Sequence, residues 1–125
     1  MKKIFSLFTA IFVSAVLHAE VGADRFIQKI KLTSELTAVV AEGDFEARSI
    51  GSFSVRLYST ENAQPEDNTT FFVAGIIRER DGYIEKVKLV DIDGNRKTEL
   101  VVIVRNVGTG SYLSADAFAF DKKRL

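Results

Sequence analysis

The chain has 125 residues, with 17 Lys and Arg against 17 Asp and Glu, one His, no Cys and no Trp. That length suits one domain. The absence of cysteine excludes disulfides and thiolate nucleophiles, and the lone histidine rules out the usual His-rich zinc sites.

The first stretch has the pattern of a secretory signal peptide over residues 1–19. Lys2 and Lys3 give a basic start, Ile4 to Val16 is apolar, and Leu17-His18-Ala19 precedes Glu20 as a cleavage site. The apolar run is shorter than the ~20 residues of a membrane span, which favours cleavage over anchoring. Residues 20–125 then form the mature β-domain of 106 residues (125 less 19), enough for an independent core. Cleavage removes His18, Met1, Lys2 and Lys3. The mature chain keeps 15 basic against 17 acidic residues, a net charge of −2, with no basic patch of the kind nucleic acid needs. The export signal, without a cysteine for lipid attachment, predicts a soluble periplasmic product with no membrane contact after cleavage.

Short strands follow. Phe26 to Leu32 alternates, with Phe26, Gln28, Ile30 and Leu32 on one face. Leu36 to Ala41 is a second strand. Glu42 to Gly51 reads as a polar connection. Phe53, Val55 and Leu57 then alternate with Ser54, Arg56 and Tyr58, and Thr60 to Thr69 is a solvated loop holding the chain's one proline, Pro65. Phe71 to Ile77 is apolar nearly throughout, and Asp81-Gly82 marks a tight turn. From Tyr83 to Val90, simple alternation groups Ile84 with Lys86 and Lys88, against Tyr83, Glu85, Val87 and Leu89. Asp91 to Lys97 is a polar loop.

Leu100 to Val104, rich in β-branched residues, and Leu113 to Phe120 read as two strands of a hairpin. Between them lie Gly108, Thr109, Gly110 and Ser111, with Tyr112 at the exit. The glycines admit positive φ, so the tip can turn sharply. A plain turn is the simpler reading of this tip. A rigid, hydroxyl-bearing finger that enters another molecule's cleft is the functional one. No segment shows helical caps with a sustained 3.6 period. The pattern predicts an all-β protein, an antiparallel β-sandwich of about seven to eight short strands. Phe71–Ile77 and Leu100–Val104 are apolar on both faces, so a loop or a second subunit must cover them.

The remaining chemistry is carboxylate chemistry. Glu42, Asp44, Glu46, Asp91, Asp93 and Glu99 are available, but all lie in or next to turns, and a glycosidase needs two carboxyls facing one cleft. The chain is therefore not expected to be an enzyme. Asp91-Ile92-Asp93-Gly94-Asn95 with Glu99 raises a calcium reading, and with it the alternative of a calcium-linked or carboxylate-based carbohydrate-binding or processing domain. Its order departs from the EF-hand loop, where glycine stands sixth and this chain has Arg96. An Asx-rich turn is the favoured reading, and no metal or cofactor is expected.

The chain resembles the periplasmic inhibitors of invertebrate-type (i-type) lysozyme. The resemblance rests on Glu42-Gly43-Asp44-Phe45-Glu46-Ala47-Arg48-Ser49-Ile50-Gly51-Ser52, on Phe72-Val73-Ala74-Gly75, and on Thr109-Gly110-Ser111-Tyr112-Leu113-Ser114-Ala115-Asp116-Ala117-Phe118. It covers most of the chain from about Val40 onward. It implies a β-sandwich that protects Gram-negative bacteria from host lysozyme by inserting a loop into the enzyme's cleft. The family's loop carries a serine-glycine-x-tyrosine pattern, matched here by Thr109, Gly110, Ser111 and Tyr112. Thr109 departs from the serine: it keeps a hydroxyl but adds a methyl that restricts χ1. The implied partner is a host i-type lysozyme. A homodimer, as in some related inhibitors, would suit the two-sided apolar strands.

Overall fold

The computed structural model describes residues 24–64, 66–108 and 110–125. The predicted signal peptide lies outside the described residues. Among these, the chain forms seven strands and no helix: β1 (Ile27–Lys31), β2 (Leu36–Glu42), β3 (Gly51–Ser59), β4 (Phe71–Arg80), β5 (Tyr83–Val90), β6 (Glu99–Arg105) and β7 (Leu113–Phe118). They make two antiparallel sheets, ordered β1-β2-β3-β4 and β5-β6-β7. The sheets pack face to face around Leu36, Ala38, Val40, Phe53, Val55 and Leu57 from the first, and Ile84, Leu100, Val102, Val104 and Phe118 from the second. The rings of Phe53 and Phe118 meet edge to face across this core, 6.2 Å apart. The all-β sandwich expected from the alternating pattern is the fold observed.

One strand departs from simple alternation. Ile84 is buried together with Val87, and Leu89 packs on the same core. Ile84 pairs with Val104 and Lys86 with Ile103, so Glu85 is an extra residue, a β-bulge. The bulge shifts the phase of the strand, placing Ile84 with the apolar set rather than with the lysines.

The two doubly apolar segments meet different fates. β6 is the central strand of its sheet; Val101 is buried and Ile103 half-buried on its outer face. They are flanked across the sheet by Lys88 and Lys86 of β5, whose aliphatic stems can cover apolar surface. β4 is an edge strand. Phe72 and Ile77 stay exposed on its outer face, and Phe72 stacks edge to face on Tyr58, 6.0 Å away.

The antiparallel order fixes which loops share an end. β2 ends at Glu42, β3 begins at Gly51 opposite Arg80, β5 begins at Tyr83 opposite Arg105, and β7 begins at Leu113. Residues 43–50, 81–82 and 106–112 therefore lie together at one end of the sandwich. The loops 60–70 and 91–98 lie at the other.

Candidate binding loop

The β6–β7 connection runs over residues 106–112. Its base is closed by the Asn106 N–H, which donates to the Tyr112 carbonyl at 2.8 Å. The Ser111 N–H donates to the Gly108 carbonyl at 3.2 Å. Asn106 does more with its side chain: Oδ1 accepts from the Gly108 N–H at 2.6 Å, and Nδ2 donates to the Asp81 carbonyl at 3.4 Å. One residue thus ties the loop to itself and to the neighbouring turn. Arg105 adds a second brace. Its Nε donates to Glu85 at 2.8 Å, while Nη1 donates to Ser111 Oγ at 3.3 Å and to the Ser111 carbonyl at 3.5 Å. The pair shifts both groups in the sense of charge retention: hydrogen bonding to Glu85 raises the Arg105 pKa, and hydrogen bonding to Arg105 lowers that of Glu85.

Gly110 lies at φ 101° and Ser111 at φ 51°. The left-handed backbone that the glycine permits is present, and the serine beside it is held there by Arg105. The Tyr112 ring folds back over Gly110, so a Cβ at that position would stand 2.9 Å from Cε2. Tyr112 is nonetheless 71% exposed, and Val107 and Leu113 beside it are also exposed. Thr109, the fourth residue of the expected site, lies outside the described residues. Arg105 and Asn106 were not singled out by the sequence. Asn106, two residues before Gly108 in an Asn-x-Gly run, carried the one local signal, since asparagine side chains commonly bond backbone two residues on.

A buried ionic group supports this end from beneath. Arg80 is 3% exposed and Glu42 is 1% exposed. Arg80 donates to the carbonyls of Ser52 (2.9 Å), Arg48 (2.5 Å), Gly82 (2.6 Å) and Ala47 (3.0 Å), and to Glu46 (3.4 Å). Glu42 accepts from the N–H groups of Phe26 (2.9 Å) and Ile84 (2.8 Å) and from Arg48 (3.1 Å), with Arg80 3.7 Å away. Burial pushes the Glu42 carboxyl up. The two backbone bonds, Arg48 and the Arg80 charge outweigh it and hold the group below its ordinary value. The polar connection after β2 is therefore built on a charge cluster that bridges both sheets.

The candidate carboxylates do not converge on one cleft. Glu42 is buried, Glu46 is held by Ser52 and Arg80, and Asp44 pairs with Arg25 at 2.9 Å. Asp91, Asp93 and Glu99 sit at the opposite end, with carboxylate oxygens within 4.8 Å of one another. Asp91 accepts from the N–H groups of Gly94 and Arg96, Asp93 from Asn95, and Glu99 from Ile92. These bonds are those of the Asx-rich turn.

A braced loop carrying an exposed tyrosine stands at the end of a β-sandwich whose candidate carboxylates are spread between its two ends, an arrangement suited to a protein that binds another macromolecule. Comparison with known proteins narrows the class. Residues 24–125 match the family described as periplasmic lysozyme inhibitor of I-type lysozyme, or PliI. The crystal structure of the periplasmic lysozyme inhibitor of I-type lysozyme from Aeromonas hydrophila is similar, with 42% identity, a TM-score of 0.72, and coverage of 78% of this chain and 79% of that one. The Aeromonas hydrophila inhibitor in complex with Meretrix lusoria lysozyme is similar too, at 42% identity and TM-score 0.67, covering 75% of each chain. No curated protein matches. The chain belongs to the periplasmic lysozyme inhibitors of I-type lysozyme. Its role is to bind and inhibit an enzyme in the periplasm, not to catalyse a reaction.

Proposed function

We propose that this chain blocks an i-type lysozyme by inserting the loop of Thr109, Gly110, Ser111 and Tyr112 into the enzyme's active-site cleft. The observation that carries the reading is Tyr112, 71% exposed on a loop whose ends are fixed by Asn106 and Arg105. A lysozyme cleft holds one protonated and one ionised carboxyl. Hydroxyl groups donate to the ionised one and accept from the protonated one, whereas Asp or Glu would be repelled. A loop already fixed in shape loses little entropy on binding. The similar inhibitor solved in complex with Meretrix lusoria lysozyme supports the class of target.

Tyr112→Ala is expected to weaken inhibition by roughly 2–4 kcal/mol, about 30- to 1,000-fold, as for an aromatic anchor at a binding hot spot. The measurement is inhibition of i-type lysozyme on cell walls by a variant that melts like the parent. Undiminished inhibition would show the loop to be only a turn.

The mature protein begins at Glu20 after removal of residues 1–19, a reading supported by the basic start, the apolar run and Ala19. Intact mass of protein recovered from the periplasm tests it. The mature protein also pairs with a second copy through the outer face of β4, where Phe72 and Ile77 are exposed beside Tyr58.

A further inference from the structure

Phe45 is the most exposed large apolar side chain among the described residues, at 83%, and it sits at φ 64°. An aromatic residue in the left-handed region is disfavoured and persists only where its surroundings impose it. Both flanks of Phe45 are tied down. Asp44 pairs with Arg25, which also donates to the Glu42 carbonyl at 3.0 Å. Glu46 accepts from the Ser52 N–H at 2.7 Å and the Ser52 hydroxyl at 2.8 Å, and Arg80 holds the Ala47 carbonyl. The chain thus spends an ordered network on pointing a phenyl ring at solvent.

The strand order puts this loop at the same end as residues 106–112. The connection is physical. Arg80 bonds residues 47 and 48 on one side and Gly82 on the other, and Asp81 accepts from Asn106. Ile50 is exposed too, lining a depression with Gly51, Glu79 and Asp81. Phe45, Ile50, Val107 and Tyr112 are thus exposed apolar residues on loops at one end of the sandwich.

The geometry points to Phe45 as a second anchor on the same lysozyme, gripping an apolar patch on the rim of the cleft that the 106–112 loop enters. This rests on the reading that the chain inhibits lysozyme through that end. The argument from size is direct: a specific protein interface covers about 800 Å² per partner, on the order of 20–30 residues a side. The tip of one loop supplies only a small part, and the 43–50 loop stands at the same end, linked to it through Arg80 and the 81–82 turn.

The test measures binding to an i-type lysozyme for Phe45→Asn, Phe45→Tyr and, in parallel, Tyr112→Ala. Asparagine tolerates the left-handed region, so Phe45→Asn relieves the backbone while removing the ring. The expected result is affinity lowered at least about tenfold with an unchanged or raised melting temperature, while Phe45→Tyr binds like the parent. A smaller loss for Phe45→Asn, or a lowered melting temperature, overturns the proposal. A variant that turns monomeric where the parent is dimeric assigns the ring to a second copy and overturns it too. Tyr112→Ala separates the two readings. If both weaken binding, the proposal stands; if Tyr112→Ala alone does, the loop stands and Phe45 falls; if Phe45→Asn alone does, the loop reading falls, and with it the placement of Phe45 on the rim of the cleft.

Discussion

Gly110 shows how a single residue shapes the β6–β7 loop. Its φ of 101° suits glycine alone, and the Tyr112 ring occupies the space a side chain would take. Gly110→Val is expected to strain the backbone and displace the ring together. Inhibition should fall at least as far as in Tyr112→Ala, with a loss of stability of about 1–2 kcal/mol. Urea unfolding and a lysis assay on one preparation check both. The left-handed glycine was legible because Gly-x-Gly spacing in a short polar connection has few other uses. Ser111 at positive φ was not, since serine carries no such preference and its ties to Gly108 and Arg105 are made only in the fold.

Among the elements, the segment after β2 matters most to the site, and it was the most under-read. It appeared as a polar connection; it is the cover of a buried Arg80–Glu42 pair. Glu42→Gln removes the anion buried beside Arg80, which keeps Glu46, and sets an amide N–H2 against the donors Phe26, Ile84 and Arg48; it is expected to cost about 1–3 kcal/mol in urea unfolding. The pair also fixes a pH dependence. The folded-state pKa of Glu42 is lowered, so its contribution is fully present above the unfolded value of about 4.3 and is lost as pH falls through the folded value. The parent's melting temperature should hold between about pH 7 and 5 and drop below about 4. Glu42→Gln should start lower and drop less. An acid limb equally steep in both proteins would count against this account.

At the scale of the whole molecule, the two sheets leave one apolar outer face open, on β4. Its partner in the proposed dimer is the same face of a second copy, as a two-fold axis requires. Light scattering is expected to give twice the mature mass, and Ile77→Asp to give a folded monomer with an unchanged far-UV circular dichroism spectrum and a melting temperature no higher than the parent's. A parent that stays monomeric across a wide concentration range removes the proposal. The β4 face runs along the sheet and the 106–112 loop stands at its end, so a dimer of this kind would leave the proposed inhibitory end accessible.

Alternation of apolar residues determined the strands, because a period of two has one physical meaning when one face is buried. The absence of cysteine excluded thiol chemistry, and the resemblance of three short runs gave the family. The tertiary structure decided the rest. The bulge at Glu85 set the phase of β5, which no local pattern encodes, because the register depends on β6. Sheet packing brought Glu42 of β2 against Arg80 and Ile84, on either side of the β4–β5 turn, and buried a residue that read as the start of a polar connection. The same order placed residues 43–50 beside residues 106–112. Exposure of Phe45 likewise belongs to the fold: hydrophobicity alone would bury that ring, and the loop that presents it is tied through Asp44, Glu46 and Ala47.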